Sequence, residues 1–217
     1  PQDIVSQIRE GGVEFHASVE LWDNPVALGS RKGFDLLFDL DCKEFEHGKI
    51  AASALLWALE KHGVKGHVKF SGNRGFHIGI PWSSIPREIN FTPTKDQFPG
   101  VARKVGLYIR EYMRERLERA LLKEYSVEVL AATVGKPLGE IFKDSLDPFK
   151  IVDIDPILIS PRHLYRMAYS LNTKTFLASL PLKDLDSFEK EDARPDKFKA
   201  SLPYLEGGED REAELLF

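Results

Sequence analysis

Residues 33–45 read GFDLLFDLDCKEF, and two acids stand where the pattern asks for a buried strand. Phe34, Leu36, Phe38 and Leu40 alternate with Asp35, Leu37, Asp39 and Asp41. Strand side chains point alternately to opposite faces, so Asp39 and Asp41 are neighbours on one face. Two like charges at the end of an apolar strand repel and lose hydration unless a positive charge sits between them. A D-x-D pair on a strand can hold a divalent cation, Mg²⁺ or Mn²⁺, because hard cations take oxygen ligands. An isolated pair of this kind is usually a solvated strand end, so a third acid is needed. The stretch KIVDIDP, residues 150–156, repeats the device with Asp153 and Asp155 closing a second apolar strand. Two such pairs in one domain have the make-up of a two-metal phosphoryl-transfer site.

Two further segments carry polar groups in an apolar setting. In SGNRGFH, residues 71–77, the glycines let backbone N–H groups approach an anion, while Ser71, Arg74 and His77 add donors. Alone, such a hairpin is more often only a turn. In RHLYRMAYSLNTKT, residues 162–175, His163, Arg166, Ser170, Asn172 and Lys174 interleave with Leu164, Met167 and Leu171. Arginine suits phosphate as a planar fork and lysine as a point charge. A solvated surface helix is the plainer reading of that segment.

The chain of 217 residues is 42% hydrophobic and 29% charged, with a formal net charge of −4. It is long enough to bury a sizeable core. Its one cysteine, Cys42, excludes an internal disulfide and a Cys-rich structural zinc site. No run approaches the roughly 18 apolar residues of a membrane helix, and no signal-peptide pattern opens the chain. A reducing intracellular location, cytoplasm or nucleoid, is expected, and the initial Pro suggests an excised piece. The acidic balance does not exclude nucleic acid, because a local basic face matters more than the sum. Lys43, Lys49, Lys65, Lys69 and Arg74 tint the motif region basic, and Trp57 or Trp82 could stack on a base, although Trp57 reads better as core.

A short helix and a strand are expected near the start, and a helix over 48–62 with Gly63 as its stop. Residues 100–131 are strongly helical, with Val101, Val105, Tyr108, Ile109, Tyr112, Met113, Leu117 and Leu121 as one stripe and Arg103, Arg110, Arg114 and Arg119 largely off it. KIVDIDPILI reads as a strand, and EGGEDREAELLF, residues 206–217, as an acidic, exposed helix or tail. Strands and helices mix without a regular βαβ rhythm, which favours α+β.

Taken in order, these segments resemble the archaeo-eukaryotic primase superfamily, most closely the small catalytic subunit of archaeal and eukaryotic primase. LLFDLD matches its strand ending in D-x-D, SGNRGFH its S-G-x-R-G-x-H, and VDIDP with HLYRMAYSLNTKT its third acid and H-L-x-R-x-x-x-S-x-H-x-K-T segment. The likeness runs from about Glu20 to Phe188, where LASLPLKDLDSF continues it. It implies a primase-like core of mixed and antiparallel sheets flanked by helices over residues 1–205, with 100–146 as a helical insertion. It implies that Asp39, Asp41 and Asp153, with Asp155 as substitute, hold two Mg²⁺ or Mn²⁺ ions. Ser71, Arg74, His77, His163, Arg166, Ser170 and Lys174 would bind the nucleotide.

The implied activity is template-dependent nucleotidyl transfer from an NTP or dNTP to a 3′-hydroxyl on single-stranded DNA. A primase large subunit or a fused helical domain is the implied partner. Asn73 and Asn172 depart from the Arg and His common in the family, and the zinc knuckle is absent. These departures keep open a non-catalytic nucleic-acid-binding relative. A gap-filling end-joining polymerase is a further alternative.

Overall fold

A computed structural model describes residues 2–155, 160–207 and 212–217. The chain opens with α1 (Gln2–Arg9) and then β1 (His16–Ser18), β2 (Glu20–Trp22) and β3 (Arg31–Phe34). The acidic strand is β4 (Leu36–Cys42), followed by α2 (Phe45–Lys61), β5 (His67–Phe70) and β6 (Phe76–Ile80). A small hairpin, β7 (Glu88–Ile89) and β8 (Thr92–Pro93), precedes the helices α3 (Gly100–Glu124), α4 (Val127–Val134) and α5 (Leu138–Ile141). Strand β9 (Val152–Asp155) and the short β10 (Leu164–Arg166) complete the elements that position the site. The fold class is α+β with antiparallel sheets, as the irregular order of strands and helices required.

The central sheet runs β5-β6-β4-β9, every neighbour antiparallel. Leu36, Phe38 and Leu40 of β4 and Phe76, Ile78 and Ile80 of β6 are buried together. Helix α2 lies on this face through Ala51, Ala54, Leu55, Ala58 and Leu59, whose spacing makes one apolar side. It stops where Gly63 takes a positive φ of 73°. Helix α3 packs in turn on α2 with Ala102, Val105, Ile109, Met113, Leu117 and Leu121 buried.

Three expectations change. The single helix over 100–131 is two helices, because Ser126 accepts a hydrogen bond from the Val129 N–H and starts α4 afresh. Tyr108 and Tyr112 leave the buried stripe and pack their rings on His62, with Tyr112 also stacked on Trp57. The acidic end is no free tail: Ala213 and Leu216 are buried, and Glu212 accepts from the Lys65 N–H and the Ser84 hydroxyl. The strand expected over 150–159 is seen as β9, and residues 156–159 lie outside the described residues. Among the described residues no helix is long and apolar enough to cross a membrane.

The other face of the sheet is covered by the chain after β9. Phe70 N–H bonds Leu180 O and Leu182 N–H bonds Val68 O, so residues 180–182 extend the sheet beyond β5. Tyr165 and Tyr204 close over Lys69. The N-terminal segment straps this cover down: β1 pairs with β10, and Phe15 O and Val13 O accept from Met167 N–H and Leu171 N–H.

Candidate active site

The register of β4 brings the acids together. Asp39 lies opposite His77 on β6 and opposite Asp155 on β9, and Asp41 lies opposite Asp153. Asp39, Asp41 and Asp153 therefore share a face over two adjacent strands. The Asp41 carboxylate is open to solvent, accepts from the Cys42 N–H at 2.9 Å and stands 4.0 Å from an Arg74 guanidinium nitrogen. Asp153 is exposed, and the side chain of Asp155 lies outside the described residues. Among the described residues, no three His, Cys, Asp or Glu side chains converge into a ready ligand set. Cys42 is no nucleophile here: burial, reinforced by the Asp41 charge, pushes its thiol up to about 12.

A cavity of about 170 Å³ adjoins the acids and gathers Asp39, His77, His163, Tyr165 and Arg166, together with His16 from β1. It has room for a phosphate group rather than a nucleotide, since small-molecule sites usually need about 300 Å³ or more. A larger groove of about 940 Å³ between α2 and α3 takes in Lys49 and Trp57 but none of the expected metal- or nucleotide-binding residues, and chemistry outranks size in assigning the site. Behind the cavity Lys69 is wholly buried. Its Nζ lies 2.6 Å from His77 Nδ1, and His77 Nε2 lies 3.5 Å from Asp39 Oδ1. Burial holds both the lysine and the histidine well below their ordinary pKa ranges, with the Asp39 carboxylate working against the shift of Lys69.

Arg166 is held from two sides. It donates to Ser71 O at 3.4 Å and forms a charge-assisted bond to Glu14. Glu14 also accepts from the Thr173 hydroxyl, and these bonds, Thr173 first and Arg166 next, bring its carboxyl down to about 2.

The 71–75 loop closes through Ser71 N–H to Gly75 O. Gly75 is required, because a Cβ there would stand 1.9 Å from Leu40 O, and Gly72 takes a φ of 90°. The loop leans on the later segment, where the Thr175 hydroxyl donates to Gly72 O at 2.5 Å. Asn172 is buried and its side-chain oxygen accepts from the Lys174 N–H, a turn-forming task that accounts for an amide at this position. Lys174 and Arg74 are exposed at the rim. Ser170 is buried, and its hydroxyl accepts from the Phe15 N–H at 2.6 Å. That places it in the strap rather than among the exposed donors. The segment 162–175 is turns around β10, not a surface helix.

Of the α3 arginines off the apolar stripe, Arg114 pairs with Glu111 and Asp147, Arg119 with Glu115, and Arg110 lies over Phe149. Trp82 packs on Phe34 under Arg87. Glu14, His16 and Lys69 were not singled out from sequence as site residues. Lys69 alternates with apolar residues in a strand and so reads as solvent-facing, while Glu14 and His16 reach the site only through the β1–β10 pairing.

No family model matches the chain. The DNA primase small subunit of Pyrobaculum calidifontis is 29% identical over an aligned 204 residues, covering 78% of this chain and 58% of the relative. The chain thus spans little more than half the length of that relative. The polymerase domain of Mycobacterium tuberculosis ligase D, solved in complex with DNA, superposes with a TM-score of 0.47 at 17% identity, over 94% of this chain and 58% of that one. In sequence, then, the chain is similar to an archaeal primase small subunit over most of its own length.

Proposed function

We propose that the chain is a template-dependent nucleotidyltransferase of the primase-polymerase type, making or extending primers on single-stranded DNA. One observation carries this reading: the register that sets Asp39 opposite His77 and Asp41 opposite Asp153 puts carboxylates and phosphate-directed donors on one face. The donor set fits hard cations, being carboxylate oxygens on adjacent strands with Asp41 and Asp153 open to solvent. Asp39, Asp41 and Asp153, with Asp155 as substitute for the last, would hold two Mg²⁺ or Mn²⁺ ions. Bound there, such ions would lower the pKa of the attacking 3′-hydroxyl and neutralise charge on the α-phosphate.

The chain's own work is then positioning. His77, His163 and Arg166 present donors within the phosphate-sized cavity, and Ser71 and Arg74 extend them along the loop. Holding the triphosphate in line with the acids supplies most of what phosphoryl transfer needs. Lys174 stands at the rim for the same charge, and Ser170 supports the segment that carries Arg166. A primase large subunit or fused helical domain, and the choice of NTP or dNTP, belong to the same proposal.

A non-catalytic nucleic-acid-binding relative is favoured by one observation, the absence of a converged ligand set among the described residues. Titration of a fluorescent nucleotide with and without Mg²⁺ or Mn²⁺ separates the two. Binding that strengthens at least about tenfold with the cation in the wild type, and not in Asp41→Asn, is the expected result. Cation-independent binding would favour the non-catalytic reading, and no nucleotide binding would overturn both.

A further inference from the structure

Lysine is among the residues least often fully buried, yet Lys69 is 0% exposed in the centre of this molecule. Its Nζ has three neighbours: Arg166 O at 2.9 Å, Ser179 Oγ at 2.5 Å and His77 Nδ1 at 2.6 Å. A carbonyl oxygen only accepts. The Ser179 hydroxyl donates its own hydrogen to Phe70 O at 3.0 Å, so it too accepts from the lysine. Burial works against the charged form of Lys69 and the Asp39 charge works for it; as an ammonium it has three hydrogens, and two are thereby assigned.

The third depends on His77. On the far side of the ring, Nε2 lies 3.5 Å from Asp39 Oδ1. An ionised carboxylate only accepts, so the proton of a neutral imidazole is drawn to Nε2. Nδ1 is then a bare lone pair, and the third ammonium hydrogen fills it. The row Lys69, His77, Asp39 runs straight across β5, β6 and β4, each residue opposite the next in the sheet register.

We infer that Lys69 is a positioning residue: it fixes His77 as the Nε2–H tautomer, so that a neutral imidazole presents a hydrogen-bond donor to the cavity beside Asp39. Lys69 is also the buried counter-charge of Asp39, acting through the ring. A donor suits a phosphate oxygen, whereas the opposite tautomer would aim a lone pair at it. The tautomer stands on the hydrogen bonds of Lys69 and on the closeness of the Asp39 carboxylate to Nε2, and its use toward a triphosphate rests on the function proposed above.

The test is long-range ¹H–¹⁵N correlation NMR of the histidine rings at neutral pH, without nucleotide, on the wild type, Lys69→Met and Lys69→Gln. The wild type is expected to show His77 with a protonated Nε2 and an unprotonated, hydrogen-bonded Nδ1. Lys69→Gln, which keeps an N–H donor, should retain that signature, and Lys69→Met should lose it. Nucleotide titrations on the same samples should show affinity weakened on the order of tenfold in Lys69→Met and largely rescued in Lys69→Gln. A protonated Nδ1 in the wild type would overturn the inference whether or not either variant folds. Equal affinity in folded Lys69→Met and Lys69→Gln would also overturn it, reducing Lys69 to a structural role. A wild type with the expected tautomer but no affinity for nucleotide would leave Lys69 positioned and overturn the phosphate reading instead.

Discussion

Asp35 illustrates what a single carboxylate does in this fold. It accepts from the Trp82 N–H at 2.8 Å, and burial raises its pKa to about 6 from the ordinary 3.8. The folded chain therefore keeps a proton that the unfolded chain releases, so stability falls as pH rises from about 4 to 6 and stays lower above that. Asp35→Asn preserves the acceptor and removes the charge. It should stabilise the protein at pH 8 by at most about 3 kcal/mol and change little at pH 4, as read by urea unfolding at the two pH values. Equal effects at both would contradict the assignment. Glu14 has the opposite sign. Its pKa of about 2, below the ordinary 4.5, means that its bonds to Thr173 and Arg166 add stability above about pH 5 and lose it as pH falls toward 2. Glu14→Gln should thus destabilise the protein at pH 7 and converge on the wild type near pH 2, measured in the same way.

At the scale of elements, the acidic strand and the loop after β5 depend on backbone that no side chain could replace. Gly75→Ala drives a Cβ into Leu40 O and should cost more than about 2 kcal/mol, read by urea unfolding. Ser170→Ala removes the acceptor of a half-buried N–H and should cost about 1–2 kcal/mol. Its amide exchange should rise first at Phe15 and along the β1–β10 pair. The alternation of Phe34 to Asp41 was enough to place Asp39 and Asp41 on one face, whereas the neighbouring position of Asp153 follows from the β4–β9 register, which patterning does not contain. Period-2 patterning is local and survives in any sheet. Lys69 was not legible in that way, since what buries it comes from Tyr165, Ser179 and Tyr204, about a hundred residues along the chain. Ser170 is similar, because its partner Phe15 lies at the other end of the sequence. Asn172 looked like a lost phosphate ligand until its turn was seen. The C-terminal acids looked free because nothing in their sequence announces Ser84 or Lys65 as partners.

On the scale of the whole molecule, the account is a sheet with a packed face toward α2 and a polar face held shut by the N-terminal strap and the chain after β9. The polar face carries Asp39 and Arg166 at one cavity, with Asp41 beside Arg74 of the 71–75 loop, and this is the surface proposed as the site. The central claim is that this face transfers nucleotides, and it is tested most directly by incorporation of labelled NTP and dNTP on single-stranded DNA. The assay runs with and without an annealed primer, in Mg²⁺ and in Mn²⁺, beside the double variant Asp39→Asn/Asp41→Asn. The substitution relieves the repulsion between the two acids but also removes the charge facing Lys69, so folding of the variant is checked by its melting transition before activity is compared. The account predicts cation-dependent extension by the wild type that disappears in this folded variant. Product without a primer would establish initiation by this chain, and extension of a primer only would assign initiation to a partner subunit or domain. Incorporation that persists in the double variant, or none by the wild type in either cation with either substrate, would contradict it.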